Sequence, residues 1–277
     1  MLDTSIGTTT FTADEARRGE LAAFLREKRH GLAPARVGLK AGPRRRARGL
    51  LREEVAQLAG ISPTWYVWLE QGRDIRPSDA VIANLSQALQ LSTAERAHLF
   101  TLAQPGGGAP ADFSTEATDT LKSWIAGLHD HPAYVLNGLW DVIAWNEAAS
   151  EMFGDFSVVP TTQRNVLHMI FCWLPWRTLF ADRDRLAEFV AAQFRADTAA
   201  HIGNPRRVAL LEELCASSAE FRSLWNAGAI AAPRLTEKTL LHPTLGVRTL
   251  TYAALRPQGV SGDISVVVYS PAVRAHA

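Results

Sequence analysis

The sequence predicts two domains, an all-α bundle of five short helices followed by an α+β domain with a five-stranded antiparallel sheet. Three observations predict this layout. The chain has 277 residues, more than one ordinary compact domain. Helix-start signals and helical apolar spacing fill residues 13–103, and strand-like runs follow later in the chain. A segment rich in Pro and Gly, predicted as a linker over 104–111, separates the first domain from the second at 112–277.

Helix-start signals divide the first domain into five helices. Thr12 and Ser92 each stand three residues before a glutamate, the pattern of a capping box. Pro63 follows Ser62 at a favourable first helical position. The expected helices cover residues 13–31, 51–59, 63–71, 78–89 and 93–103. The side chains expected to face the core of the bundle are Val81, Leu85, Ala88 and Leu89 in the fourth helix and Leu99 and Leu102, beside His98, in the fifth.

Residues 51–71 have the pattern of a helix-turn-helix motif. Such a motif needs a small residue where its helices touch, a glycine in the turn and apolar side chains that seat the second helix. Ala56 and Gly60 supply the first two. The seating side chains are expected to be Val55, Ile61, Tyr66 and Leu69. With these turned inward, the outer face of the second helix is expected to enter the major groove of double-stranded DNA.

Basic residues are concentrated around the start of this motif. Residues 17–52 hold 12 Lys and Arg against only Glu20 and Glu27, whereas the whole chain has a net charge of +1. A solvated basic loop would have the same composition. Because the segment runs directly into the motif, the imbalance favours a polyanionic partner.

The predicted DNA contacts form two groups. The reading surface comprises Ser62, Pro63, Thr64, Trp65, Val67, Trp68 and Gln71. The phosphate contacts are Arg44, Arg45, Arg46, Arg52 and Arg73, because isolated flexible cations position a duplex more readily than they read it. Thr64 offers a hydroxyl and a methyl, and Val67 offers an apolar contact for thymine. Core packing is an equal alternative for Trp65, and for Glu70 a structural ion pair is favoured over a base contact.

After the linker, strands are mixed with helices. Asn137-Gly138, between runs at 134–136 and 139–145, is typical of a two-residue type I′ hairpin turn. Asn146 is expected to cap the next helix. Further helices are expected at 164–173, 183–196, 205–215 and 218–226, and further strands at 234–242, 247–255 and 264–269. The apolar face of the helix at 205–215 is expected to hold Val208, Leu211, Leu214 and Cys215.

The run from Leu51 to Arg73, followed by Arg76-Pro77-Ser78, resembles the XRE (Cro and repressor type) family of helix-turn-helix regulators, particularly its MmyB-like branch. The resemblance covers residues 20–104. In that branch the rest of the chain resembles a PAS-like ligand-binding domain, and residues 133–146, Arg164-Asn165 and His242-Pro243 fit its pattern. The resemblance implies a DNA-binding transcription regulator, usually a homodimer, whose second domain can hold a fatty-acid-like effector.

A ligand site is expected in the second domain. It holds six of the eight tryptophans, and such rings suit either a pocket wall or a thick core. The carboxylate of an acyl ligand needs a cation or several donors in an apolar site. The candidate ligand residues are Tyr134, Trp145, Arg164, Asn165, His168 and Phe171, although Arg164 could instead cap a helix or pair with an acid. A domain that serves only for dimerisation or protein contact is the alternative.

The chain departs from the MmyB-like branch after Phe171. The branch commonly has an acidic residue and Pro there, then a stretch like Asp-Trp-Glu. This chain instead has Cys172-Trp173-Leu174-Pro175-Trp176-Arg177. We therefore expect that wall of the pocket to differ in shape.

Other function classes lack their signatures. The sequence has no GxSxG, HExxH, Walker or dinucleotide-binding glycine motif, so neither catalysis nor a cofactor is expected. His129-Asp130-His131 lacks a third metal ligand, and an exposed loop is favoured. Cys172 and Cys215 are too far apart for a zinc or redox motif. No run reaches the roughly 18 apolar residues of a membrane span, and a cytoplasmic protein is expected.

Overall fold

The computed structural model describes residues 12–39, 48–104, 115–230, 236–258 and 263–272, without the side chains of 115–117. The chain divides into two compact units near residue 107. The first is helical, and the second combines a five-stranded antiparallel sheet with helices. The predicted fold class is therefore confirmed. The bounds of the linker stay a prediction, because residues 105–114 lie outside the description.

The first unit begins with α1, whose start is set by a local capping box. Thr12 Oγ1 accepts a hydrogen bond from the Glu15 amide at 3.2 Å, and the Glu15 carboxylate accepts one from the Thr12 amide at 2.8 Å. Ser92 and Glu95 form the same arrangement at the start of the fifth helix, so both predicted boxes are confirmed. The described α-helices are α1 (Ala13–Gly31), α2 (Arg52–Ala59), α3 (Pro63–Glu70), α4 (Asp79–Ala88) and α5 (Thr93–Ala103).

The core of the first unit is formed where its helices pack against one another. Helix α1 packs against α3 and α5, and α2 packs against α3 and α4. Leu99, Leu102 and His98 are buried as predicted, with the His98 ring 5.3 Å from that of Phe24. In α4 the predicted face was partly wrong. Leu85, Ala88 and Leu89 are buried as predicted, but Val81 is only half-buried and its neighbour Ile82 is buried instead.

The second unit is built around one sheet. Its described α-helices are α6 (Thr115–Ala126), α7 (Glu147–Phe153), α8 (Val166–Cys172), α9 (Leu174–Leu179), α10 (Arg183–Asp197), α11 (Pro205–Ser217) and α12 (Ala219–Asn226). Its strands are β1 (Ala133–Leu136), β2 (Val142–Trp145), β3 (Glu237–His242), β4 (Gly246–Leu255) and β5 (Ser265–Pro271). They pair in the order β2-β1-β5-β4-β3, and all neighbours are antiparallel. Asn146 caps α7, as predicted.

The two faces of the sheet are covered differently. One face, called the inner face below, contributes Leu240, Val267 and Tyr269 to the main core, which also takes in the apolar sides of α7 to α10. On the opposite, outer face, α6 covers β1 and β2 through Leu121 and Ile125. The outer face of β3 and β4 remains open among the described residues. Its exposed side chains include Leu241, Val247 and Leu255, which are 51%, 63% and 47% exposed.

The predicted type I′ turn at Asn137-Gly138 was wrong. Five residues connect β1 to β2, and Trp140, not Gly138, adopts the positive φ of 65°. Asn137 Oδ1 accepts hydrogen bonds from the amides of Leu139 and Asp141 at 3.0 and 2.9 Å. An asparagine side chain that binds the backbone ahead of it stabilises a longer loop than two residues.

The other departures concern helices. Helices α6 and α9 were not predicted, although Leu121 and Ile125 in α6 have helical spacing and Pro175 stands in the first turn of α9, where proline is tolerated. In α11, Val208 was wrongly assigned to the core and is 41% exposed. Leu210 is buried instead. Apolar spacing alone did not predict this, because the buried face of α11 also includes the charged Arg207.

Candidate functional site

The α2–turn–α3 segment has the local geometry that the sequence predicted. Ala56 is fully buried at the helix contact. Gly60 ends α2 at a φ of 67°, a left-handed conformation that glycine adopts without steric strain. The Ile61 amide then donates to the Ala56 carbonyl at 3.0 Å. Ser62 Oγ accepts from the Trp65 amide at 3.1 Å and caps α3. The turn and the start of α3 are therefore held by local interactions.

The predicted reading surface divides by exposure. Ser62, Pro63, Thr64 and Gln71 are exposed, and Trp65, Val67 and Trp68 are half-buried. Tyr66 and Leu69 face the core. The predicted phosphate contact Arg73 is exposed. Its guanidinium lies 5.4 Å from the centre of a Trp68 ring, and its Nε donates to Gln71 Oε1 at 3.0 Å. The first turn of α3 and the Trp68–Arg73 pair are thus available to a partner.

Glu70, at the end of α3, is the best connected charge in the first unit. It is 1% exposed, and its carboxylate accepts hydrogen bonds from Arg29 at 2.6 and 3.1 Å and from Arg52 Nε at 2.6 Å. Arg26 donates to its backbone carbonyl at 2.6 Å. Burial alone would raise the pKa of Glu70, but the bonds from Arg29 and Arg52 hold it below its usual value. Glu70 therefore takes the structural ion pair that the sequence analysis favoured, and it ties α3 to α1 and α2.

This arrangement changes the interpretation of the basic segment. Among its described basic side chains, six bind groups within the first unit: Arg17, Arg18, Arg26, Lys28, Arg29 and Arg52. Arg52, predicted as a phosphate contact, uses its Nε for Glu70 while its side chain stays 47% exposed. Arg44, Arg45 and Arg46 lie outside the described residues, so their predicted phosphate contacts stay predictions.

In the second unit, Asn165 and Arg164, two of the residues predicted to bind the head group of a ligand, make hydrogen bonds within the fold. Asn165 is fully buried. Its amide donates to the Leu139 carbonyl at 2.7 Å and to Asp141 at 2.9 Å, and its oxygen caps α8. Arg164 precedes α8, donates to the Val159 carbonyl at 3.0 Å and lies 4.9 Å from the centre of a Trp145 ring, while its buried Nε has no hydrogen-bond partner among the described residues. Both residues hold the loops around α8.

His168 is poorly suited to bind an anion. Its Nε2 lies 3.3 Å from Glu213 Oε1, and its buried Nδ1 has no hydrogen-bond partner among the described residues. Burial lowers the pKa of His168, and Glu213 offsets only part of this effect, so the imidazole is neutral near neutral pH. Of the other three predicted ligand residues, Tyr134 and Phe171 are buried in the main core, and Trp145 is half-buried and packs against it.

Lys238, on the inner face of the sheet, was not among the predicted site residues. Lys238 Nζ donates to Tyr269 Oη at 3.0 Å and lies 4.2 Å from the ring centre of Tyr252. Tyr269 Oη is in turn 3.0 Å from Tyr134 Oη. We call these four residues the lysine–tyrosine cluster. A signal was present in the sequence, because strand alternation puts Lys238 on the same face as the apolar Leu240.

Neither a metal-binding cluster nor a membrane-spanning helix is found among the described residues. His131 Nδ1 lies within hydrogen-bond distance of the Tyr269 carbonyl, at 3.2 Å, while His129 is exposed. Among the described ranges, no three His, Cys, Asp or Glu side chains are arranged to hold a metal ion. No helix in the same ranges is long and apolar enough to span a membrane.

Comparison with known families agrees with this organisation. A helix-turn-helix domain model matches residues 20–99. The model of the MmyB-like transcription regulator ligand binding domain matches residues 117–277, more than half of the chain. No curated protein gives a match. With the exposed start of α3 in the first unit and a second unit matched by a ligand-binding family, the chain belongs to the MmyB-like transcription regulators.

Proposed function

We propose that the protein is a sequence-specific DNA-binding regulator that works as a homodimer and responds to a fatty-acid-like effector held by its second domain. In this proposal α3 is the recognition helix and lies in the major groove. The second domain binds the effector without chemically changing it. A cytoplasmic location follows from DNA being the partner.

The observation that carries the DNA-binding part is the contrast between the two ends of α3. Its first turn exposes Ser62, Pro63 and Thr64, while the Glu70 carboxylate at its other end is bound by the buried Arg29 and the exposed Arg52. Base reading requires side chains presented at a fixed position, because a misplaced donor loses its hydrogen bond. A helix that is fixed at one end and exposed at the other meets this requirement.

A binding-site selection with the full-length chain tests the assignment of α3. Changing Thr64→Ala is expected to alter the preferred base at the position that Thr64 reads, at a cost of about 1 to 3 kcal/mol. Thr93→Ala is a matched control, because Thr93 is an exposed threonine at the start of α5. An unchanged preference in Thr64→Ala would remove Thr64 from the reading surface.

Mass spectrometry of organic extracts from the purified full-length chain tests the effector part. One fatty acid per chain, absent from extracts of an unrelated protein purified in the same way, is the expected result. A blank extract, together with no binding of added fatty acids, would contradict the fatty-acid assignment and leave the DNA-binding part intact.

The open outer face of β3 and β4 favours a second candidate function for the second domain, that of a dimerisation module without a ligand. Leu241 and Val247 are paired across the two strands there and are both more than half exposed. Exposed apolar patches of this kind mark interaction sites. Sedimentation of a Val247→Glu variant separates the candidates: a dimer that dissociates while fatty-acid binding persists assigns this face to association only.

A further inference from the structure

The backbone that follows α3 is fixed by the way in which the helix ends. The Gly72 amide donates to the Leu69 carbonyl at 3.0 Å. The Arg73 amide donates to the Trp68 carbonyl at 3.1 Å. With Gly72 at a φ of 69°, these two bonds form a Schellman motif, a common helix ending built on a left-handed glycine. A Cβ at Gly72 would lie 3.3 Å from the Arg18 carbonyl oxygen, so the turn also packs closely against α1.

The Arg73 side chain is held as well. In a Schellman motif the residue after the glycine often contacts a side chain in the last turn of the helix. Here the Arg73 guanidinium makes that contact with Trp68, 5.4 Å from the centre of a ring, and Arg73 Nε donates to Gln71 Oε1 at 3.0 Å. Among the described residues, the two terminal nitrogens of this exposed guanidinium have no hydrogen-bond acceptor. Its position is therefore restricted while its terminal donors stay available.

This geometry bears on the kind of DNA group that Arg73 contacts. The phosphate assignment assumed an isolated flexible cation, and Arg73 is neither isolated nor flexible in that sense. A phosphate accepts a cation from many directions, whereas a base edge needs donors at fixed positions. The terminal nitrogens of a guanidinium form a planar pair of donors, which matches the O6 and N7 acceptors of guanine in the major groove. Adenine presents an acceptor and a donor at that edge and does not match.

We propose that Arg73 reads a guanine in the major groove through its two terminal nitrogens, with Trp68 and Gln71 as positioning residues. This inference rests on the proposed DNA-binding function and names a base and the residue that selects it. It moves Arg73 from the predicted phosphate contacts to the reading surface.

A binding-site selection with the full-length chain, followed by affinity measurements, tests this assignment. The unmodified chain is expected to select a guanine at a position where Arg73→Ala shows no preference. Replacing that guanine by adenine is expected to weaken binding of the unmodified chain about 5- to 100-fold and to leave the affinity of Arg73→Ala nearly unchanged. Replacing it by 7-deazaguanine, which lacks the N7 acceptor, is expected to weaken the unmodified chain by a smaller factor.

Two variants of the half-buried Trp68 test the positioning role. Trp68→Phe keeps an aromatic face beside the guanidinium and is expected to keep most of the guanine preference. Trp68→Leu removes that face and is expected to reduce the preference at this position, with the salt dependence of binding unchanged. The same guanine preference in Trp68→Leu and the unmodified chain would overturn the positioning role of Trp68.

Arg96→Ala is the matched control, because Arg96 is an exposed arginine of α5 in the same unit. It is expected to bind each of these DNA sites as the unmodified chain does. If Arg73→Ala selects the same sequences and its salt dependence becomes shallower by about one unit of slope, Arg73 contacts a phosphate and the inference is overturned. An unmodified chain that selects no sequence would overturn the proposed DNA-binding function as well.

Discussion

Two charged side chains, the buried Glu70 in the first unit and the half-buried Lys238 in the second, have opposite electrostatic surroundings. Glu70 in the first unit is surrounded by Arg29 and Arg52, and every bond it makes is to its own domain. Lys238 in the second unit has tyrosines around it and no acid among the described residues. A compensated buried charge fixes the position of the element that bears it, whereas an uncompensated one lowers stability while it is charged. The Glu70 cluster therefore fixes geometry, and Lys238 makes the stability of the second unit depend on pH.

The largest expected effect comes from removing the compensated charge. Glu70→Ala leaves Arg29 buried without its anion and is expected to destabilise the first domain by about 3 to 5 kcal/mol. Glu53→Ala, at an exposed position of α2, is the control, with a change within about 0.5 kcal/mol. Hydrogen exchange of the amides in α3 measures the effect within this domain. Equal protection in the two variants would mean that the Glu70 cluster does not hold α3.

The close approach of Gly49 to the end of α1, beside the Glu70 cluster, predicts the next largest effect. A Cβ at Gly49 would overlap the carbonyl oxygens of Arg29 and His30 at the end of α1, and the adjoining Leu50 amide donates to the Arg29 carbonyl at 2.9 Å. Gly49→Ala is expected to cost about 1 to 3 kcal/mol. Gly19→Ala, in the middle of α1 with open space around it, is expected to stabilise by about 0.5 to 1 kcal/mol. Urea unfolding that gives both variants the same sign would contradict this.

The uncompensated charge predicts an effect of opposite sign that depends on pH. Below pH 7 Lys238 is protonated in both folded and unfolded chains, so the full cost of desolvating the half-buried ammonium is present. Between about 7 and the ordinary value of 10.5 the folded chain loses the proton and the unfolded chain keeps it, so the unmodified protein gains stability as the pH rises. Lys238→Met is therefore expected to raise the melting temperature by a few degrees at pH 6 and by less at pH 9.

The control for this pH series is Lys122→Met. Its difference from the unmodified chain should be the same at pH 6 and pH 9, since the side chain is exposed. A melting temperature of Lys238→Met that falls below that of the unmodified chain at pH 6 would show that the ammonium is compensated after all.

The smallest effect concerns the arginines predicted to contact phosphates. The double change Arg45→Ala and Arg46→Ala is expected to weaken binding to all DNA sequences alike and to make the salt dependence shallower by about two units of slope. Thr64→Ala should leave that slope unchanged. Fluorescence anisotropy at several salt concentrations measures both. A loss confined to the preferred sequence would move Arg45 and Arg46 to the reading surface.

Sequence reasoning was most reliable where a structure depends on residues close together in the chain. The capping boxes at Thr12 and Ser92, the glycine turn at Gly60 and the cap at Ser62 each involve residues within three or four positions. It failed at Asn137-Gly138, because that asparagine binds backbone groups in a loop of five residues and so overrides the local preference of the dipeptide.

The candidate sites show the same difference between local and long-range features. Thr64 and Pro63 could be placed on an exposed helix face from apolar spacing alone. The roles of the charged residues could not, because 41 positions separate Arg29 from Glu70 and 31 separate Lys238 from Tyr269. An arginine that binds phosphate and one that holds a carboxylate look alike in a sequence.

By itself the sequence determined the two-domain layout, the helix-turn-helix and the antiparallel strands, since caps, turns and apolar periodicity are local properties of the chain. Only the tertiary structure decided which charges are compensated. That depends on which distant side chains share a low-dielectric environment, and it distinguishes Glu70, which is paired with two arginines, from Lys238, which has no carboxylate partner among the described residues.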